Sequence, residues 1–365
     1  MRPDPELAGW LQLSLTPGLG SATLRNLLRK FGLRHEVLAR SRAELASFIA
    51  PESLDALESP RVREAVARAL DWAAADEHLV ITLADETYPR ALLEIADPPA
   101  VLYAHGRAQL LQHPALAIVG SRNASAQGES NAEQFARVLS DAGLTIVSGL
   151  ALGIDAAAHR GGLAGARSTI AVLGTGVDIV YPTRNAELAA EIARRGLLVS
   201  EFALGTPAIA HNFPRRNRLI SGLARGCLVV EAAIASGSLI TARCAADQGR
   251  DVFAIPGSIH SPLARGCHAL IKSGAKLVES ADDVLAELSG FQPIAGASTL
   301  AAAPAADTGL LALMGHDPVD VDSLCERAGL SPEEVTSQLL RLELDGRVTA
   351  LPGGLYQRLE KTHRG

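Results

Sequence analysis

Arginines, glycines and hydroxyl residues gather at a few points of this chain, and those are the residue types that hold a phosphate. The densest gathering is Phe213-Pro-Arg-Arg-Asn-Arg218, which packs three arginines, an asparagine and a phenylalanine into six consecutive positions. A guanidinium pairs with phosphate through parallel hydrogen bonds and stacks on flat rings, so the segment suits a nucleotide backbone and its bases. Pro214 restricts the backbone before it, and Arg215, Arg216, Asn217 and Arg218 cannot all face one way. Some are expected to be struts, with Arg216 or Arg218 pairing to Glu201 or Glu231 across strand ends. Gly120, Ser121 and Arg122, in VGSRNASAQG, put amides, a hydroxyl and a guanidinium between an apolar run and a helix. Ser236, Gly237 and Ser238, in EAAIASGSLITA, form a turn that reads as an anion seat or as an ordinary helix cap. In SGLALGIDAAAHRGGL, Ser148, Gly149 and Gly153 permit close backbone approach. A further turn carries Tyr181, Arg184 and Asn185, the last reading first as a cap.

Residues able to do covalent or acid–base chemistry are scarcer. Asp155 and His159 stand one helical turn apart, which allows an acid/base pair, but a helix-stabilising i,i+4 hydrogen bond between them is the expected arrangement. Cys227, Cys244, Cys267 and Cys325 never form C-x-x-C, and His260 and His268 complete no zinc spacing, so buried structural thiols are expected. No carboxylate pair, metal cluster or activated nucleophile accompanies the anion turns. Binding without turnover is therefore expected, with no catalytic residue, no metal and no cofactor.

The elements that must position these turns are legible from the apolar runs. ALAIVGS, LTIVSGL, TIAVLGTG, GLLVSEF, CLVVEAA, DVFAIPGS and AKLVES alternate with helical stretches that mostly end in Gly. Such alternation predicts a doubly wound parallel sheet over residues 78–290, with ligands at the carboxyl ends of its strands. Residues 1–77 show helical periodicity with no strand-like run, and TPGLGSATLRNLLRKFG within them reads as a tight Gly turn before an amphipathic basic helix. That stretch resembles a helix-hairpin-helix, whose turn amides can approach a phosphate, and equally a plain helix-loop-helix packing unit. Residues 291–306 are rich in Ala, Pro, Gly and Ser, as in a linker. Residues 307–365 carry helical periods and a closing hairpin, the winged-helix order.

Composition narrows the partners. The net charge of -6 and 4% aromatic content describe an acidic globular protein whose overall field does not attract nucleic acid, so a polyanion site must be local. No basic start leads into an apolar run and no segment reads as a membrane span, so a cytoplasmic location without membrane contact is expected.

Taken together, Gly120-Ser-Arg122, SGLALGIDAAAH, TIAVLGTGVDIVYPTRN, NFPRRNRLISGL, VVEAAIASGSLITARCAADQGRDVFAIPG and GCHALIKSGA resemble the DNA-processing protein DprA/Smf family over about 170 contiguous residues. The resemblance implies an extended Rossmann-like domain that forms a homodimer, flanked by a sterile-alpha-motif-like helical domain and a winged-helix domain. It also implies binding and protection of incoming single-stranded DNA during natural transformation. RecA, loaded onto that DNA, and single-strand-binding protein are the implied protein partners, and no enzymatic activity is implied. Carried over by motif, Gly120, Ser121, Arg122 and the segment Phe213, Arg215, Arg216, Asn217, Arg218 lie in the DNA groove, joined by Gly149, Ser236, Gly237 and Ser238. Two other readings are weaker. A phosphoribohydrolase-like enzyme would need a P-G-G-x-G-T turn, which is absent. A winged-helix regulator would need DNA contact by residues 307–365, which carry ten acidic and six basic side chains.

Overall fold

Strands made almost wholly of Val, Ile, Leu and Ala need cover on both faces, which a layered α/β sheet provides. The computed structural model describes residues 5–288, 290–292, 309–315 and 318–359. Its central sheet has nine strands: β1 His78–Thr82, β2 Val101–Gly106, β3 Ala115–Val119, β4 Thr145–Ser148, β5 Thr169–Val172, β6 Leu197–Ser200, β7 Gly226–Val229, β8 Asp251–Ala254 and β9 Lys276–Leu277. They lie in the order β1-β2-β6-β5-β4-β3-β7-β8-β9. The run from β6 to β9 is parallel throughout. β1 and β2 add an antiparallel edge beside β6 that the apolar runs did not announce.

Side-chain alternation divides the core. Ala115, Ala117 and Val119 of β3 face Leu219, Ile220 and Leu223 of the Asn212–Leu223 helix and Ala242 and Ala245 of the Ser238–Asp247 helix. Leu116 and Ile118 face Ala132, Ala136 and Leu139 of the Ala126–Asp141 helix and Ala157 and Ala158 of the Ile154–Ala164 helix. The helix after β3 therefore covers one face and the helix after β7 the other. Neighbouring strands that send their chains to opposite faces leave a crevice between the departing loops, the usual ligand position in doubly wound sheets.

The N-terminal helices, from Pro5–Leu15 to Pro60–Ala73, do not hang free of the sheet. Leu11, Leu13, Leu24 and Leu27 share one core with Val101 and Tyr103 of β2 and Leu198 of β6. Arg25 of the Ser21–Phe31 helix adds a hydrogen bond to the Pro98 carbonyl and an ion pair with Asp97, both at short range (2.7 and 2.8 Å).

The C-terminal unit has its own core of Leu310, Leu311, Met314, Leu324, Val335, Leu339 and Val348. Helices Leu310–Met314, Val321–Ala328 and Pro332–Leu344 precede the hairpin β11 Val348–Leu351 and β12 Leu355–Arg358, and β10 Val319–Asp320 pairs with β12. This is a winged helix with a third short strand. The linker expected over 291–306 lies outside the described residues from 293 onward. Among the described residues no helix is long and apolar enough to cross a membrane.

Candidate nucleic-acid interface

A cleft of about 700 Å³ opens between the loops that follow β3 and β7. The Gly120–Asn123 turn, Phe213, Pro214, Arg216 and Asn217, and Ser236–Ser238 form its walls, joined by Ala151, Asp155 and Tyr181 among others. Three separate anion turns of the sequence thus meet at one crevice.

The arginine-rich stretch forms a helix over Asn212–Leu223, with His211 as its N-cap residue. Pro214 sits in the first turn, where its missing N–H breaks no helical hydrogen bond. Each residue then turns 100° from the last, which divides the side chains into two stripes. Phe213, Arg216 and Asn217 face the cleft. Arg215, expected in the groove, instead turns to the carboxylate of Glu201 at 3.4 Å, and Arg218, placed in the groove by the resemblance, makes with Glu201 at 2.6 Å the strut that was expected of it or of Arg216. Arg218 also pairs with Asp97 at 3.3 Å, which links it to Arg25. Burial raises the pKa of Glu201, and the charges of Arg218 and Arg215 pull it back.

On the cleft stripe, Phe213 is a half-buried platform. The Arg122 guanidinium lies 5.9 Å from its ring centroid and Tyr181 lies 5.5 Å away, tilted by 45°. Tyr181 is 47% exposed, and among the described residues Arg122 makes no ion pair. A cation with no acidic partner beside two aromatic rings is free to meet a phosphate while the rings meet a base.

Arg216 lies under this surface, 4% exposed, and donates to the Val172 carbonyl. Desolvation lowers its pKa to about 10, against the favourable charge of Asp155. Gly149 does not line the cleft. A Cβ there would fall on the Arg216 guanidinium, so the glycine is what lets the arginine lie against the backbone.

Asp155 and His159 make neither an acid/base pair nor the expected i,i+4 hydrogen bond. Asp155 accepts the N–H groups of Gly149 and Ala151 at 3.1 and 3.3 Å. His159 accepts the Leu150 N–H through Nε2 at 3.3 Å, which leaves Nδ1 to donate to Thr169 Oγ1 at 2.7 Å. Burial drives the His159 pKa down to about 3, keeping it neutral. Asn185 is likewise not a side-chain cap, because its Nδ2 donates to the Leu150 and Ala151 carbonyls at 2.9 and 3.2 Å. Asp155, His159 and Asn185 thus bond the N–H groups of residues 149–151 and the Leu150 and Ala151 carbonyls, fixing the loop against which Arg216 lies.

The two serine turns differ. Ser125 caps the helix after Gly120-Ser121-Arg122, accepting the Gly128 N–H at 2.9 Å, and its own N–H and hydroxyl donate to Glu231 at 2.9 and 2.6 Å. An acceptor carboxylate already occupies that helix start, so Arg122 is the group left there for an anion. The Ser238–Asp247 helix has Gly237 at its N-cap and no side-chain cap, and Ser236 and Ser238 share a hydroxyl hydrogen bond of 2.7 Å. Its first-turn amides are engaged locally, Ser238 N–H with Ser236 Oγ at 3.3 Å and the Leu239 and Ile240 N–H groups with the Ser236 and Gly237 carbonyls at 3.1 Å, so this turn meets the cleft with its serine hydroxyls and not with open amides.

The comparisons with known proteins agree with this architecture. The family model of DNA recombination-mediator protein A matches residues 79–289, and that of the DprA winged helix domain matches residues 294–354. The chain belongs to the DprA/Smf family. Protein Smf of Escherichia coli is 44% identical over 308 residues, 82% of each chain. DNA processing protein DprA of Streptococcus pneumoniae is 50% identical over 206 residues, 56% of this chain and 73% of its own. The X-ray structure of the pneumococcal DprA superposes with a TM-score of 0.67 at 39% identity, covering 77% of this chain and 97% of that one. DNA processing protein A of Helicobacter pylori, described for its single-stranded DNA binding mode, gives 0.52 at 31% identity, covering 57% and 94%.

Within this DprA/Smf chain, Tyr181 is the aromatic cleft residue that the groove expected from the sequence did not include. The signal for it is an aromatic in the Gly-bounded turn after β5, at the same sheet edge as the other turns. Of the four cysteines, Cys227 and Cys267 are buried as expected, while Cys244 and Cys325 are half-buried. Among the described residues no group of three or more His, Cys, Asp or Glu could hold a metal ion.

Proposed function

We propose that the cleft between the β3 and β7 loops binds single-stranded DNA, with Arg122 on a phosphate and Phe213 and Tyr181 stacking on bases. The observation that carries this reading is the exposed Arg122–Phe213–Tyr181 cluster, the one place in the cleft where an unpaired cation and two aromatic rings adjoin. Stacking and backbone charge together hold single strands without base readout. The Helicobacter pylori relative, described for single-stranded DNA binding, supports the substrate class. The net acidic charge of residues 307–365 favours the cleft over the winged helix as the phosphate contact.

In this reading the strand is bound and shielded, not turned over. Asp155 is held by backbone amides and Glu231 by Ser125, so the carboxylates nearest the cleft are engaged in structure. Family membership further supports a cytoplasmic homodimer that delivers the strand to RecA.

Fluorescence anisotropy with single-stranded oligonucleotides across a salt series tests the site. Arg122→Ala should weaken binding of every sequence alike and flatten the slope of log affinity against log salt by about 0.7. Phe213→Ala should cost about 1–3 kcal/mol per stacked base and leave the slope nearly intact. Folded variants that both bind as tightly as the parent would refute the assignment.

A further inference from the structure

The rim of the cleft differs in chemistry from its walls. All four exposed isoleucines among the described residues, Ile209, Ile234, Ile240 and Ile259, follow the carboxyl ends of β6, β7 and β8. Single exposed apolar side chains are ordinary, whereas a gathering of them at one sheet edge marks a contact surface. We infer that Ile209, Ile234 and Ile240 receive the unstacked bases of a bound strand and thereby select single-stranded over double-stranded DNA. The inference rests on the cleft being a single-strand site.

The tripeptide Ala-Ile-Ala occurs on two of these loops. In Ala208-Ile209-Ala210 and in Ala233-Ile234-Ala235 the alanines line the cleft, and the isoleucine between them stands at its edge, 37% and 67% exposed. The loops come to the cleft from opposite sides, because β6 lies to one side of β3 in the sheet and β7 to the other. Ile240, in the first turn of the Ser238–Asp247 helix, lines the wall itself and is 40% exposed. Loose backbone does not account for this exposure. Gly176 donates to the Thr206 carbonyl and Gly205 to the Asp178 carboxylate, both at 2.9 Å. Ala232 donates to the Leu263 carbonyl at 2.7 Å, which ties the β7 loop to the loop carrying Ile259. Apolar area held in water by an anchored backbone is area that a ligand gains by covering.

Charge decides which part of a strand covers it. Residues 203–210 and 232–242 contain no charged side chain, so nothing on the rim competes with Arg122 for a phosphate. A strand whose phosphates follow Arg122 turns its neighbouring bases to the rim, on either side of the Phe213 and Tyr181 rings. Every base has an apolar face, so such contact is indifferent to sequence. In a duplex those faces are stacked on one another, and a protein meets only phosphates, sugars and groove edges. Arg122 can therefore serve both forms of DNA, and the isoleucines serve one. The alanines beside them line the same cleft, which makes the rim its continuation.

Fluorescence anisotropy of the full chain with a single-stranded oligonucleotide and with the matching blunt duplex, in one salt series, tests this. The double variant Ile209→Ser, Ile234→Ser should weaken the single strand by about tenfold with an unchanged salt slope. Duplex binding, driven by phosphates, should stay within about twofold of the parent. Both side chains are exposed, so Tm should not move. Ile234→Trp should act in the opposite sense, tightening the single strand by about threefold, and the emission of the added indole should be quenched by the single strand and not by the duplex. Single-strand affinity unchanged in the serine variant, or lost equally for the duplex, would overturn the inference. So would a changed oligomeric state of the serine variant in sedimentation, which would give the rim to a second copy of the chain. Arg122→Ala separates the two readings. If it loses affinity while the serine variant does not, the cleft stands and the rim falls; if neither loses affinity, both fall.

Discussion

The two stripes of the Asn212–Leu223 helix carry the same residue type to different ends. On one, Arg218 meets Glu201 at 2.6 Å and Asp97 at 3.3 Å, so its charge is neutralised inside a network that runs back to Arg25. On the other, Arg216 has a backbone carbonyl and the nearby charge of Asp155, and it underlies a surface where Arg122 has no acidic partner. An arginine-rich motif is thus half scaffold and half binding surface, and helical phase decides which half a residue joins. The sequence distance between Arg215 and Arg216 is minimal, yet they belong to different cavities.

The comparison breaks most readily at Arg218. Arg218→Met leaves the buried carboxylate of Glu201 short of its nearest cation and should destabilise the fold by about 3–5 kcal/mol in urea unfolding. The folded fraction should still bind single-stranded DNA like the parent. Weakened DNA binding at unchanged stability would move Arg218 to the cleft stripe.

Acid should act on the two stripes with opposite sign. His159, beneath the cleft, has its pKa lowered from 6.5 to about 3, so its contribution to stability is complete above pH 6.5 and is lost as pH falls toward 3. The loss has a limiting slope of about 1.4 kcal/mol per pH unit. Glu201, in the network, has its pKa raised by burial, so its neutral form is favoured on folding and stability is lost as pH rises through that value. Asp155, raised by burial as well, opposes His159 at the acid end. Unfolding series between pH 4 and 7 should therefore lose acid sensitivity in His159→Gln, and gain it in Glu201→Gln.

Gly149→Ala sharpens the link between loop and cleft. The new methyl would collide with a guanidinium that is buried and hydrogen-bonded, and should cost about 1–3 kcal/mol of stability. Single-strand affinity should fall with it, because Arg216 must shift. The smallest effect is expected at Arg215, whose ion pair is half-exposed. Arg215→Ala should change stability by less than about 1 kcal/mol and leave single-strand affinity within about twofold of the parent.

Much of the sheet is legible in the sequence because its parallel strands are buried on both faces and so read as unbroken apolar runs closed by Gly or Ser. The antiparallel edge is not, since His78–Thr82 and Val101–Gly106 are joined by no tight hairpin turn but by a longer segment that holds the Arg90–Leu93 helix. The anion turns around Arg122, Phe213 and Ser236 were legible as local composition, and the parallel order explains why they converge. The division among Arg215, Arg216 and Arg218 was not legible, because Pro214 disguised a helix and the phase of a helix depends on where it starts. The partners of Asp155, His159 and Asn185 were hidden for a related reason. A polar side chain four residues from another suggests a mutual bond, whereas an irregular loop offers unpaired amides and carbonyls that no spacing rule anticipates.

The crevice itself owes nothing to any of these side chains. It exists because the chain leaves β3 toward one face of the sheet and β7 toward the other, so it is a property of the path, and the exposed side chains at its rim can be exchanged without closing it. Lineages that share this topology can therefore rewrite which cations and rings meet a ligand there while the sheet stays whole, which makes the lining the part of the molecule where affinity can drift fastest.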